Sequence, residues 1–323
     1  MSTLSRLAVI VVLALASMQP ARAQSYPDKP IRIVIPFPAG GGPDLVARLI
    51  APKLTEALGQ PIVFDYRVGA NGTIGNEFVA RSAPDGYTLL MGAAGALTVA
   101  PHVYAKVQFD TFKDFEPIAL VGTSPYIVAL HPSVPASSVA ELTAYAKANP
   151  GKLNYGSSGT GGLPHLAGEL YERLAGVDLV HVPYKGIAPA ITDLVGGQVQ
   201  LLFGDVGLVL PHVKAGNLKA IAVTSKQRAT PLPDVPTMIE AGVPGYQMGT
   251  WWGLLAPAGT PRPIIARLSA EVRKALSLPE IQNAFKARSL EYELTTPEQF
   301  AARIRDEYDT WGKIVKEANI RSE

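Results

Sequence analysis

Two glycine-rich stretches hold the residues best able to do chemistry: Ala39-Gly40-Gly41-Gly42-Pro43-Asp44, and Ser157-Ser158-Gly159-Thr160-Gly161-Gly162-Leu163-Pro164-His165. Each follows a strand-like run and opens a helical pattern. A helix N-terminus leaves about four backbone N–H groups without intrahelical acceptors and carries roughly half a positive charge. Glycine ahead of it lets the backbone bend and come close to a guest. The combination binds an anion without needing lysine or arginine. Neither stretch is followed by the Lys-Ser or Lys-Thr of a phosphate loop, and neither fits G-x-G-x-x-G in a first strand–helix turn, so nucleotides are poor candidates.

The two stretches align at an offset of 121, which pairs Pro43 with Pro164, Asp44 with His165 and Leu49 with Leu170. Two equivalent loops facing one gap would clamp a molecule with one or two carboxylates. Asp44 serves either as a dipole partner and loop brace or as a ligand contact. His165 has the same two readings. His165 and Glu169 stand i, i+4 with no third ligand in view, so no metal is expected. Asp205, after Gly204 at the end of a strand, either points into a cleft or forms a turn. Lys185 either supplies a cation or ends a turn. Trp251 and Trp252 alternate faces in a strand, which sends one to the core and the other towards a cleft or hinge. Ser158, His165 and Asp205 also come in an order that permits a serine hydrolase. That second reading lacks the G-x-S-x-G elbow, and it places Ser158 and His165 at opposite ends of one turn.

The elements that position these loops alternate strand and helix. Ile31 to Phe37, Pro61 to Tyr66 and Tyr87 to Met91 read as strands around helices opening at Pro43 and near Ile74. The pattern repeats with strands at 153–155, 180–182 and 199–203, then another at 219–224. This alternation predicts an α/β fold with parallel sheets. Long extended stretches at 117–130 and 246–255 are positioned to carry the chain between two lobes. They give lobe one as 24–124 plus 252–323 and lobe two as 125–251, with two crossovers acting as a hinge.

Composition narrows the function classes. The chain has 323 residues, 47% hydrophobic and 17% charged, and no cysteine, which excludes disulfides and thiolate chemistry. Arg6, the apolar run Leu7 to Ala16 and the small-x-small site Ala21-Arg22-Ala23 read as a cleaved export signal over residues 1–23. Ten apolar residues are too few to span a bilayer, which needs about 20. Cleavage would remove Arg6 and Arg22 and bring the formal charge from +2 to zero, so no basic field for nucleic acid is expected.

At this point the chain resembles the Bug family, the extracytoplasmic receptors of tripartite tricarboxylate transporters. The matching segments are YPDKPIRIVIPFPAGGGPDLVAR, GANGTIGNEFVARSAPDGYTLL, LNYGSSGTGGLPHLAGELY, HVPYKGIAPAITDLVGGQVQ, LPDVPTMIEAGVPG and WWGLLAPAGTP, spread over the whole chain after residue 23. The resemblance implies a two-lobed periplasmic-binding-protein fold of type II kind, a ligand in the interlobe cleft, and a carboxylate held mainly by backbone amides and ordered water. It implies a periplasmic monomer without cofactor, not an enzyme, which delivers a small organic anion to membrane transporter subunits. Carried over, the binding loops are Phe37 to Gly41, including Ala39, Gly40 and Gly41, with Asp44; and Ser157 to Gly161, including Ser158, Thr160 and Gly161, with His165. Phe37, Ala93 and Asp205 are expected to set specificity. Gly42-Pro43 replaces the single polar residue common before the Asp, and Gly162-Leu163 stands where serine is common. The lost hydroxyls favour a mono- or dicarboxylate with an apolar or aromatic body over citrate-like polyanions.

Overall fold

The computed structural model describes residues 26–317 and 320; the expected export signal lies outside them. Nine strands form one curled sheet in the order β2-β1-β3-β9-β4-β7-β5-β6, with β8 paired to β4. β1 (Ile31–Ile35), β2 (Ile62–Tyr66) and β3 (Thr88–Ala93) are parallel, with β1 in the middle. β5 (Asn154–Ser157), β6 (Val180–Pro183) and β7 (Leu201–Asp205) repeat this arrangement, with β5 in the middle. The weak sequence repeat is therefore a repeat of topology: strand, helix, strand, helix, strand, with the first strand central each time. The carboxyl end of such a central strand is a topological switch point, where open α/β sheets leave a crevice.

β4 (Phe115–Leu130) joins the two halves. Its first part pairs antiparallel with β9 (Gly249–Pro257), which in turn pairs with β3. From Tyr126 onwards it pairs with β7 and with β8 (Lys219–Val223). Thr224 ties the two passages together. It donates its N–H to the Tyr126 carbonyl (2.9 Å) and its hydroxyl to the Met248 carbonyl (2.7 Å). Its Oγ1 accepts from Tyr126 N–H (2.8 Å), and its carbonyl from Met248 N–H (3.0 Å).

The central strands β1 and β5 are largely buried, as parallel strands between helices require. Ile31, Ile33 and Ile35 pack with Val46, Ile50 and Leu54 of the helix Gly42–Leu58 and with Leu268 and Val272 of the helix Arg262–Leu276. In the other half, Ile127, Leu202 and Val223 pack with Ile191, Leu194 and Val209. Each such side chain contributes roughly 1.5–3 kcal/mol by leaving water. Two elements depart from the sequence reading. The segment after β3 forms a π-helical turn, Gly95–Val99, running into Ala100–Val103. β7 also extends through Asp205, so that residue is a strand end paired with Tyr126 and not part of a separate turn.

Candidate functional site

The glycine loops at the ends of β1 and β5 have the same hydrogen-bond plan. Gly40 N–H donates to Asp44 Oδ2 (2.8 Å), and Gly161 N–H donates to His165 Nδ1 (3.1 Å). Gly41 N–H reaches the Pro38 carbonyl (3.2 Å), and Gly162 N–H the Gly159 carbonyl (3.0 Å). Gly40 and Gly161 adopt φ of +82° and +73°, the left-handed region open to glycine. Gly41 and Gly162 are the extended caps of the helices Gly42–Leu58 and Leu163–Ala175, each with proline in its first turn. A first-turn side chain of each helix, four residues after the positive-φ glycine, thus holds its loop in shape.

Both helix starts open onto one hollow. Its wall includes Phe37, Gly41, Gly42 and Pro43 from one half, and Ser158, Leu163, Pro164 and Asp205 from the other. Asn71, Ala93, Tyr126, Ile187, Thr250 and Trp252 complete most of the rest. The space within it is about 50 Å³, equivalent to roughly three to five waters at ~10–15 Å³ each. The halves touch around it. Tyr104 O–H donates to the Thr160 carbonyl (2.6 Å). A Cβ on Gly186 would lie 2.5 Å from Pro38 Cδ, and one on Gly161 2.9 Å from Val103 Cγ1.

The electrostatics divide between loop braces and cleft wall. Burial opposes ionisation of Asp44. The Gly40 amide, the Tyr66 hydroxyl and the Arg48 guanidinium outweigh that and hold its carboxyl below the usual range. Tyr66 O–H and Arg48 Nε reach Asp44 Oδ1 at 2.6 and 2.8 Å. His165 directs Nε2 at Glu169 Oε1 (3.3 Å) and stacks on His181 at 3.9 Å between centroids. His181 lies 2.6 Å from Ser157 Oγ; burial, then neighbouring His165, pushes it down to about 3, so it is neutral at pH 7. Among the described residues, no lysine, arginine or histidine lines the hollow. Its one ionisable carboxyl, Asp205, is raised to about 7 by burial, against a lowering backbone hydrogen bond.

Of the residues nominated from sequence, the structure brings Phe37, Gly41, Ala93, Ser158 and Asp205 to the hollow. Ala39, Gly40, Asp44, Ser157, Thr160, Gly161 and His165 are not on its wall. The physical reason is that these groups complete the loops. Asp44 and His165 consume the Gly40 and Gly161 amides, Ser157 is engaged by His181 and by Gly159 N–H, and the Thr160 carbonyl accepts from Tyr104. The amides left over by helix geometry belong to Gly42 and Asp44 on one side and Leu163 and His165 on the other. Lys185 is exposed and off the wall, Trp252 is on it, and Trp251 is buried with Nε1 donating to Glu307 Oε2 (2.6 Å). Sequence reasoning missed Asn71, Tyr126, Thr250, Ile187 and the Gly95–Ala96 turn. For Asn71 the signal was Gly-Ala-Asn-Gly: Ala70 and Asn71 take φ of +45° and +50° between two positive-φ glycines, and Asn tolerates that region well.

Residues 46–320 match the family model described as the tripartite tricarboxylate transporter family receptor. The chain is 35% identical to Protein BugT of Bordetella pertussis, over 98% of this chain and 99% of that protein. It superposes on R. palustris Rpa4515, solved with adipate, with a TM-score of 0.89 at 35% identity, covering 92% of this chain and 99% of the other. It also superposes on MatC of Rhodopseudomonas palustris, solved with malate, with a TM-score of 0.86 at 34% identity, covering 90% and 100%. With paired glycine loops on one hollow and these likenesses along nearly its full length, the chain belongs to the tripartite tricarboxylate transporter receptor family, the periplasmic solute-binding proteins of the TctC and Bug type.

Proposed function

We propose that this protein captures a small organic carboxylate with a largely apolar body between its lobes, in the periplasm, and delivers it to a tripartite-tricarboxylate-type membrane transporter without chemical turnover. The observation that carries this reading is the convergence of two braced helix N-termini on one hollow with no basic side chain on its wall. The two helix ends together offer roughly one positive charge, matched to one carboxylate. Phe37, Ala93, Ile187, Leu163 and Trp252 suit an apolar body. We assign lobe one to residues 24–124 and 252–323 and lobe two to 125–251, with ligand-dependent closure about the paired crossovers. The adipate held by one neighbour has an apolar methylene body of this kind, and the malate held by another shows a small hydroxy acid in the same fold.

The hydrolase reading is disfavoured by His165. Its Nδ1 accepts from Gly161 and its Nε2 faces Glu169, so neither nitrogen serves Ser158 as a base. A thermal-shift screen of mono-, di- and aromatic carboxylates tests the proposal, since an acid at 100 times its Kd adds about 2.7 kcal/mol to stability. Failure of every acid to raise Tm, or turnover of an activated ester that depends on Ser158, would sink it. Tyr104→Phe removes one hydrogen bond across the closed cleft. It is expected to weaken the best acid of the screen about five- to tenfold, the worth of a bond of ~1–1.4 kcal/mol, with unfolding in urea nearly unchanged. Equal affinity in titration calorimetry would show that the contact does not hold the lobes together.

A further inference from the structure

Two residues that line the hollow each carry a buried side-chain atom with no hydrogen-bond partner among the described residues: Asn71 at Nδ2 and Asp205 at Oδ1. The two residues are 6% and 5% exposed. They come from opposite halves, Asn71 from the turn before the helix Thr73–Ala80 and Asp205 from the end of β7. Buried polar groups in native proteins are paired, and exceptions mark a role. An amide N–H₂ needs an acceptor, and a carboxylate oxygen needs a donor. Ala70, next to Asn71, is also held in the left-handed region, at φ +45°, a strain that collects at ligand clamps.

The helix ends account for a carboxylate, but they leave Asp205 without a counterpart. A plain apolar acid would bury this oxygen unpaired, and the wall supplies no cation to neutralise it. Building on the carboxylate-capture reading, we infer that the ligand carries, besides its carboxylate, a hydrogen-bond donor, an ammonium or hydroxyl, which pairs with Asp205 while Asn71 donates to an acceptor on the same molecule. A site that buries unpaired polar groups rejects the analogue lacking the matching group more strongly than a hydrophobic slot rejects a misfit. Asp205 and Asn71 are thus specificity determinants, separate from the amides that hold the carboxylate.

Titration calorimetry on the mature chain with two matched series tests this: succinate, malate and aspartate; and butanoate, 4-hydroxybutanoate and 4-aminobutanoate. Within at least one series, a donor-bearing member is expected to bind at least tenfold tighter than its plain counterpart. A preference confined to the amino acids identifies a cationic donor, and one shared by the hydroxy acids a neutral donor. Asp205→Asn keeps the shape but loses the charge. It is expected to bring aspartate within threefold of succinate, or 4-aminobutanoate within threefold of butanoate, wherever the amino member led. Should that variant fail to fold, the ranking by the unsubstituted protein still decides. Plain acids binding as tightly as their substituted partners would overturn the donor while leaving carboxylate capture intact, and so would an amino-acid preference unchanged in Asp205→Asn. Binding of no acid from either series would overturn the donor, and carboxylate capture would fall with it only if every acid of the thermal-shift screen, the aromatic ones included, also failed.

Discussion

Gly42→Val is expected to abolish carboxylate binding and to cost about 3 kcal/mol or more of stability. A Cβ at this position would lie 2.1 Å from Trp252 Cζ2 and 2.6 Å from Cε2. The indole has nowhere to go: Trp252 is 2% exposed, and its backbone is paired with Ala93 on one side and Gly122 on the other. The helix start must therefore swing away, taking Gly42 and Pro43 off the wall of the hollow. Forced overpacking typically costs ~1–3 kcal/mol, and two extra methyls beyond the Cβ put valine at the upper end. Gly41→Val is a built-in contrast. Its Cβ would meet the Pro38 carbonyl at 3.2 Å, and its φ of −77° suits any residue, so a few-fold loss of affinity is expected. Titration with the best acid of the screen, alongside urea unfolding, separates the two. Equal binding by Gly42→Val and the parent would show that the helix start does not hold the ligand.

Asp205→Asn is expected to make the empty protein more stable at pH 8 while altering which acids it accepts. The Asp205 carboxyl is raised from its ordinary 3.8 to about 7 by burial. Below pH 4 the acid is protonated in both folded and unfolded chains and carries no penalty. Between pH 4 and 7 the unfolded chain ionises while the folded one resists, so stability drains away as pH rises and the loss levels off above 7. A shift of this size corresponds to at most about 4 kcal/mol, at 1.36 kcal/mol per unit. Asparagine is neutral throughout. The gain in Tm over the parent should be near zero at pH 4 and several degrees at pH 8. A gain independent of pH would show that Asp205 is not ionised at a cost in the fold.

The architecture was legible because its signals are local. The β-branched run before Gly40 and the strand-helix alternation account for the parallel strands of each half but not for the antiparallel pairings of β4, β8 and β9, and the offset of 121 between the glycine loops turned out to be a shared set of hydrogen bonds and strand order. Which atoms of those loops face the gap was not legible. Asp44 and His165 look equally good as ligand contacts or as braces in one dimension. Only folding reveals that each bends back to the amide four residues earlier. Asn71 and Thr250 reach the hollow through tertiary proximity alone, from positions 27 and 85 residues beyond the nearer glycine loop. The Gly95–Val99 turn has no strong apolar period to announce it.

Thr224, lying between the two passages of chain that join the lobes, has a mechanical consequence. With Tyr126 on one flank and Met248 on the other, the three segments are laced at one level, as a bookbinder's stitch holds facing pages at the spine. Sliding or twisting of one lobe over the other would have to break that lacing. Rocking about it would leave these bonds in place and would have to break only the contacts across the gap, such as Tyr104 O–H to the Thr160 carbonyl.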